Sequence, residues 1–239
     1  MSLLIAAAGI DGVVLASDSR VTEGYTPEGP KTRDDSVKFI QLGPDWGILT
    51  YGLSEIGHAG ISALKEEVSQ APMVLNSGKA LTERGKQLLQ RISLEWGSCN
   101  QRIKRRSGDV GFVIGGYERE TNAFRIFNLQ SPDFAAASPR NGCMVAGQWH
   151  VAKYFLAKLY SKDLALEKLK QLAVFLLDAT MKVDKQVGGP IRLAAVSAAS
   201  GFTWASDAEV GSLMSRNRLY HDFLCDHFAC SVRRAAGGA

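Results

Sequence analysis

The chain opens with MSLLIAAAGIDGVVLASDSRV, in which an apolar run starting at Leu3 is followed, after a second run, by two opposite charges, Asp18 and Arg20. Termini are rarely tied down, so a second residue placed directly ahead of a buried strand is unusual and asks for a reason. Three other groupings carry side chains capable of chemistry. RIKRR at 102–106 is a dense basic cluster that reads as a solvated loop or a ring contact. Cys225, Asp226, His227 and Cys230 suggest a metal set, but on one helix positions five apart diverge by more than about a hundred degrees, so the two cysteines do not converge and no metal is expected. His150 follows Gln148 by two positions and is read as a helix N-terminal residue.

Composition narrows the function classes. The chain is 46% hydrophobic and long enough for one large core. A net charge of +4 with both signs interspersed marks neither a nucleic-acid-binding nor a membrane-binding surface. The apolar run at 3–10 is too short to span a bilayer and lacks the basic lead of a signal peptide. Four cysteines, Cys99, Cys143, Cys225 and Cys230, in a chain of this length read as reduced thiols rather than a disulfide framework. A soluble cytoplasmic protein without a cofactor is expected.

Periodicity supplies the elements that must position any site. Strands are expected at 3–9 and 13–17, joined by the Asp11-Gly12 turn, then a polar loop at 22–36 and strands at 37–42 and 46–51. The period then changes: Leu53, Ile56, Gly60, Leu64 and Val68 share one helical face, as do Leu81, Leu88, Leu89, Ile92 and Trp96. Further strands are expected at 110–117, 123–129 and near Met144, followed by helices at about 149–160 and 164–184, strands at 191–198 and 202–205, and a helix at about 207–230. Strands grouped in hairpins between paired helices point to antiparallel sheets with helices on their outer faces, not to a doubly wound parallel sheet. No linker or repeat divides the chain, so 1–239 is read as one domain with 233–239 as a frayed tail.

On this order of elements, GIDGVVLASDSRVT resembles the opening of proteasome β subunits and of HslV, the bacterial proteasome-like peptidase, within the N-terminal nucleophile hydrolase superfamily. The resemblance covers most of the chain and is strongest at 2–54 and 184–198. It implies an α+β fold, a four-layer αββα sandwich of two antiparallel sheets flanked by helices. It also implies a mature N-terminal nucleophile followed sixteen positions later by an acid, which matches Ser2 and Asp18. The family's lysine matches Lys38 in SVKFIQL, its oxyanion glycine matches Gly52 in ILTYGLSE, and its late aspartate matches Asp184 in VDKQVGGPI. By the same match Val21, Thr50 and Ser54 line the substrate pocket, giving a small uncharged lining suited to modest apolar side chains.

The chemistry suits those residue types. A hydroxyl becomes a useful nucleophile only when a base takes its proton, and an N-terminal residue carries its own base. A free α-amine titrates near about 7.7–8.0, and a neighbouring lysine cation lowers that value. Asp18 would fix Lys38, and Gly52 would offer its amide to the oxyanion. Met1 must be removed, which a small second residue permits without a propeptide. Three positions depart from the family pattern: serine stands for threonine at 2, Gln148 for a serine near the amine, which it can still support by a hydrogen bond, and Val187 for a second serine.

The resulting expectation is a threonine-peptidase-like endopeptidase acting on peptides or unfolded protein inside a self-compartmentalising homo-oligomeric ring, with room for a regulatory ATPase partner and no nucleic-acid or membrane partner. A small-molecule amidase or acylase on the same fold, and a catalytically inactive ring or scaffold subunit, are the alternatives.

Overall fold

The computed structural model describes residues 2–27, 29–99 and 110–219. Twelve strands form two five-stranded antiparallel sheets and a separate hairpin. The first sheet has the order β10-β1-β2-β11-β12, from β1 (Leu3–Ala8), β2 (Val13–Ser17), β10 (Cys143–Gly147), β11 (Arg192–Ser197) and β12 (Gly201–Trp204). The second has the order β5-β6-β7-β8-β9, from β5 (Phe39–Gly43), β6 (Trp46–Gly52), β7 (Val110–Glu118), β8 (Ala123–Gln130) and β9 (Ala136–Ala137). The helices are α1 (Ser54–Gln70), α2 (Gly78–Cys99), α3 (His150–Leu159), α4 (Leu166–Val183) and α5 at 207–219.

Strand alternation explains how these pieces stack. Successive side chains point to opposite faces of a strand, and β1 uses both: Leu3, Ile5 and Ala7 join one apolar cluster while Leu4 and Ala6 join another. On β2, Val14 and Ala16 face with the first set, and Val13 and Leu15 with the second. The first cluster is completed by Leu156 of α3, Leu169, Leu176 and Leu177 of α4, and Val210 and Leu213 of α5. The second lies between the sheets, where Leu4 and Leu15 meet Leu49, Val113 and Ile126. A third joins Ile48, Phe112 and Ile114 of the other sheet to Ile56 and Leu64 of α1 and Leu81 and Leu89 of α2. The chain is therefore a four-layer αββα sandwich. Each fully buried leucine or isoleucine contributes roughly 1.5–3 kcal/mol, which is why β1 and β2, apolar on both faces, form the middle of their sheet.

The expected strands and helices are present with ends shifted by a few residues, except that the last helix, expected to about 230, is described only over 207–219, the rest lying outside the described residues. The 22–36 region differs: it holds a third antiparallel pair, β3 (Val21–Thr26) with β4 (Gly29–Arg33). Its polar composition hid the pairing, because the hairpin stands outside both sheets and needs no apolar face; Glu23 instead reaches Lys31 at 3.6 Å and Arg33 at 3.2 Å across it. The basic cluster at 102–106, the Cys225–Cys230 group and the proposed tail lie outside the described residues. No helix among the described residues is long and apolar enough to cross a membrane.

Candidate active site

Strand β1 places Ser2 at the end of the central strand pair. The Gln148 amide donates to the Ser2 carbonyl at 2.7 Å on one side, and on the other the Leu3 amide donates to Asp18 Oδ1 at 2.9 Å. Gly147, opposite Leu3, has φ +86°, and a Cβ there would lie 1.8 Å from the Ser2 carbonyl oxygen. Only glycine permits that approach in the left-handed region.

Asp18 is fully buried just past the end of β2, and its carboxylate is filled by four donors. Oδ1 accepts from the Leu3 amide at 2.9 Å and from Lys38 Nζ at 2.7 Å; Oδ2 accepts from the Arg20 and Gly188 amides, both at 3.2 Å. Lys38, immediately before β5, is almost as buried and also donates to the Arg20 carbonyl. Burial pushes the Lys38 ammonium below the usual lysine range, with Asp18 pulling in the opposite direction. A fully buried ion pair is weak evidence for stability, since its desolvation cost rivals its attraction. The pair stands beside the cavity that Lys38 lines.

Around that pair the 18–20 segment is zipped to two loops. Ser19 donates to the Gly188 carbonyl from its amide at 3.0 Å and to the Pro190 carbonyl from its hydroxyl at 2.7 Å. Arg20 forks onto Asp34 at 2.6 and 2.7 Å and donates to the Lys185 carbonyl at 3.0 Å.

Ser2, Lys38 and Gly52 line one small cavity of about 20 Å³, together with Val21, Thr50 and Ser54. Gly52 ends β6 at φ +90°, where the chain turns into α1. Asp184 does not line this cavity. It ends α4, and its Oδ1 accepts from the Gln186 amide at 2.8 Å. A relay ties it to Ser2: Gln148 Nε2 donates to Gln186 Oε1 at 3.1 Å, and the Gln148 amide holds Ser2. Val187 is fully buried with Leu3 in the helix-side cluster. His150 begins α3 and stacks on Trp149 at 4.2 Å between ring centroids.

The cavity also has polar walls that the sequence reading did not include: Ser36, Tyr51 and His58. Ser36 Oγ and His58 Nε2 are 3.2 Å apart. Burial lowers the His58 value below 6.5, with Arg33 and Lys38 lowering it further and Glu55 opposing. Both residues were reachable by periodicity. His58 lies four positions after Ser54 on α1, hence on the same helical face, and Ser36 lies two before Lys38 in extended chain.

Comparison with known proteins bears on the fold and the family. Comparison with curated protein sequences gives no significant match. Among solved structures, the chain is similar to Anbu (ancestral beta-subunit) from Yersinia bercovieri, with TM-score 0.70 and 19% identity over 95% of this chain and 96% of that one. It is also similar to an Anbu (Gly-1) mutant from Hyphomicrobium sp. strain MC1, with TM-score 0.69 and 19% identity over 96% and 98% of the two chains. At that identity the likeness concerns the fold. The family model for the proteasome subunit matches residues 2–196, a span that runs from the buried Ser2 through both sheets to β11, and by that match the chain belongs to the proteasome subunit family.

Proposed function

We propose that the protein is an N-terminal-nucleophile peptidase in which Ser2, freed of Met1, attacks peptide amides. The observation that carries the reading is the buried Lys38–Asp18 pair: Lys38 lines one cavity with Ser2 and Gly52, and Asp18 behind it holds both Lys38 and the Leu3 amide. The free α-amine of Ser2 takes the Oγ proton as Oγ bonds to the substrate carbonyl carbon. The resulting oxyanion is placed at the Gly52 amide. The ammonium then gives its proton to the leaving nitrogen, the C–N bond breaks, and an ester on Ser2 remains. Water attacks that ester, passing its proton to the same amine, which returns it to Oγ as the Oγ–acyl bond breaks and the product acid leaves. Lys38 keeps the amine in its neutral form, and Asp18 keeps Lys38 in place. Asp184 and Gln148 support the amine from behind, linked through Gln186, which accepts from the Gln148 side chain and donates its amide to Asp184. Peptide or unfolded protein is the substrate class, and a homo-oligomeric ring is the assembly.

The test separates the nucleophile from its base. Ser2→Ala removes Oγ and abolishes peptide hydrolysis and labelling by a β-lactone or epoxyketone. A chain that retains Met1 keeps Oγ but converts the base to an amide, and loses about 10²–10⁴-fold in turnover. Ser2→Thr keeps the activity, because its methyl narrows χ1. Normal cleavage by a chain with a blocked terminus contradicts this mechanism, and intact mass reports the state of Met1 in each preparation.

A further inference from the structure

A second cavity, about 670 Å³, lies elsewhere and shares no lining residue with the pocket around Ser2. Its floor is β10, an edge strand that, among the described residues, pairs with β1 alone. The Gln148 amide bonds to Ser2 and the Ala8 amide to Gly142, so the even-numbered residues of this segment carry the ladder bonds to β1. By antiparallel geometry, the N–H and C=O groups of Cys143 and Val145 point outward, away from the sheet. Natural edges are normally blunted by charge, proline or a covering element. This one is short but carries neither charge nor proline.

One face of the first helix after β10 forms the opposite wall. Trp149, Lys153 and Leu156 follow helical spacing and line the cavity, and Tyr160 closes it by donating its hydroxyl to the Ala8 carbonyl at 2.7 Å. The two lysines of the lining stand at opposite ends. Lys153 lies 4.5 Å from the centre of the Trp149 ring, near the Gly147 end, and Lys162 donates to the Arg140 carbonyl at 3.4 Å, near the Gly142 end. No aspartate or glutamate lines the groove, and neither lysine forms an ion pair with a described residue. The groove is thus an open strand edge over an apolar wall, with a cation at each end.

We propose that this groove docks an extended acidic segment of a partner polypeptide, which adds as an antiparallel strand along β10. The backbone of that segment pairs with Cys143 and Val145. Because strand side chains alternate, those at every second position face α3. The chemistry that fits is acidic, apolar, acidic at three alternate positions, the apolar side chain against Leu156 and the carboxylates at Lys153 and Lys162.

A fluorescein-labelled Glu-Thr-Val-Thr-Glu peptide, read by fluorescence anisotropy against the full chain, tests this. Saturable binding is expected, with hydrogen-exchange protection of residues 143–147. N-methylation should abolish binding at alternate amides of the peptide and spare it at the others. The double charge swap Lys153→Glu with Lys162→Glu should weaken binding about tenfold or more and transfer the preference to the Lys-Thr-Val-Thr-Lys peptide. That gain cannot arise from misfolding. Absence of saturable binding, binding indifferent to the swap, or protection confined to the Ser2 pocket overturns the proposal. So does an association of the chain with itself that the swap abolishes, since the groove would then be filled by a second copy.

Discussion

Asp18 takes one lysine and three backbone amides while fully buried, so its carboxylate has no capacity left for water. Removing its charge strands a buried lysine and loosens the terminal strand together. Asp18→Asn and Lys38→Ala are each expected to lower peptide turnover by about 10²-fold or more while circular dichroism stays native; wild-type rates for both would assign the pair a structural role only. Leaving one partner of a buried pair unmatched also costs roughly 3–5 kcal/mol, so melting temperature must be followed alongside. His58 carries a separate pH signature. Burial, Arg33 and Lys38 hold its native value below 6.5, so between that native value and 6.5 the unfolded chain binds more protons than the folded one. Stability therefore rises with pH across that window and is lost on acidification through it. Thermal melts from pH 7.5 to 5 should show this slope in the wild type and a shallower one in His58→Asn. At this scale the sequence was informative through its resemblance to a known family: Ser2, Lys38, Gly52, Val21, Thr50 and Ser54, matched that way, line one cavity, whereas Asp184 does not. It was silent on Arg20 with Asp34, whose bidentate pairing depends on two loops meeting in space.

At the scale of elements, β1 is held between β2 and β10, and the approach to β10 depends on a single missing side chain. Gly147→Ala puts a methyl carbon 1.8 Å from the Ser2 carbonyl oxygen in a backbone region unfavourable to alanine, so β10 or residue 2 must move. A loss of more than about 2 kcal/mol is expected, read as a lower melting temperature with reduced activity. The two-period and 3.6-period patterns made nearly all strands and helices legible, because each buries an apolar face against a neighbouring layer. The β3–β4 hairpin was not, since its residues pair through backbone and charge without such a face. The two-residue β9 is too short to leave any pattern.

For the whole molecule, three apolar layers in sequence account for the sandwich, and apolar residues on both faces of β1 and β2 already pointed to two facing sheets with helices outside. Assembly is a property no single chain displays. The proposed ring predicts a discrete high-mass species by light scattering or mass photometry at micromolar concentration; a monomer at every concentration would remove both the ring and its chamber. The central position of β1 also imposes an order of events on biosynthesis. On the proposed mechanism Met1 must be removed, yet Ser2 is 6% exposed with Gln148 bound to its carbonyl. Residues 143–147, the last neighbours of β1, are synthesised roughly 7–30 s after the start at typical rates. The proposed maturation is then a race between trimming and β10 docking, with chains that fold first expected to retain Met1.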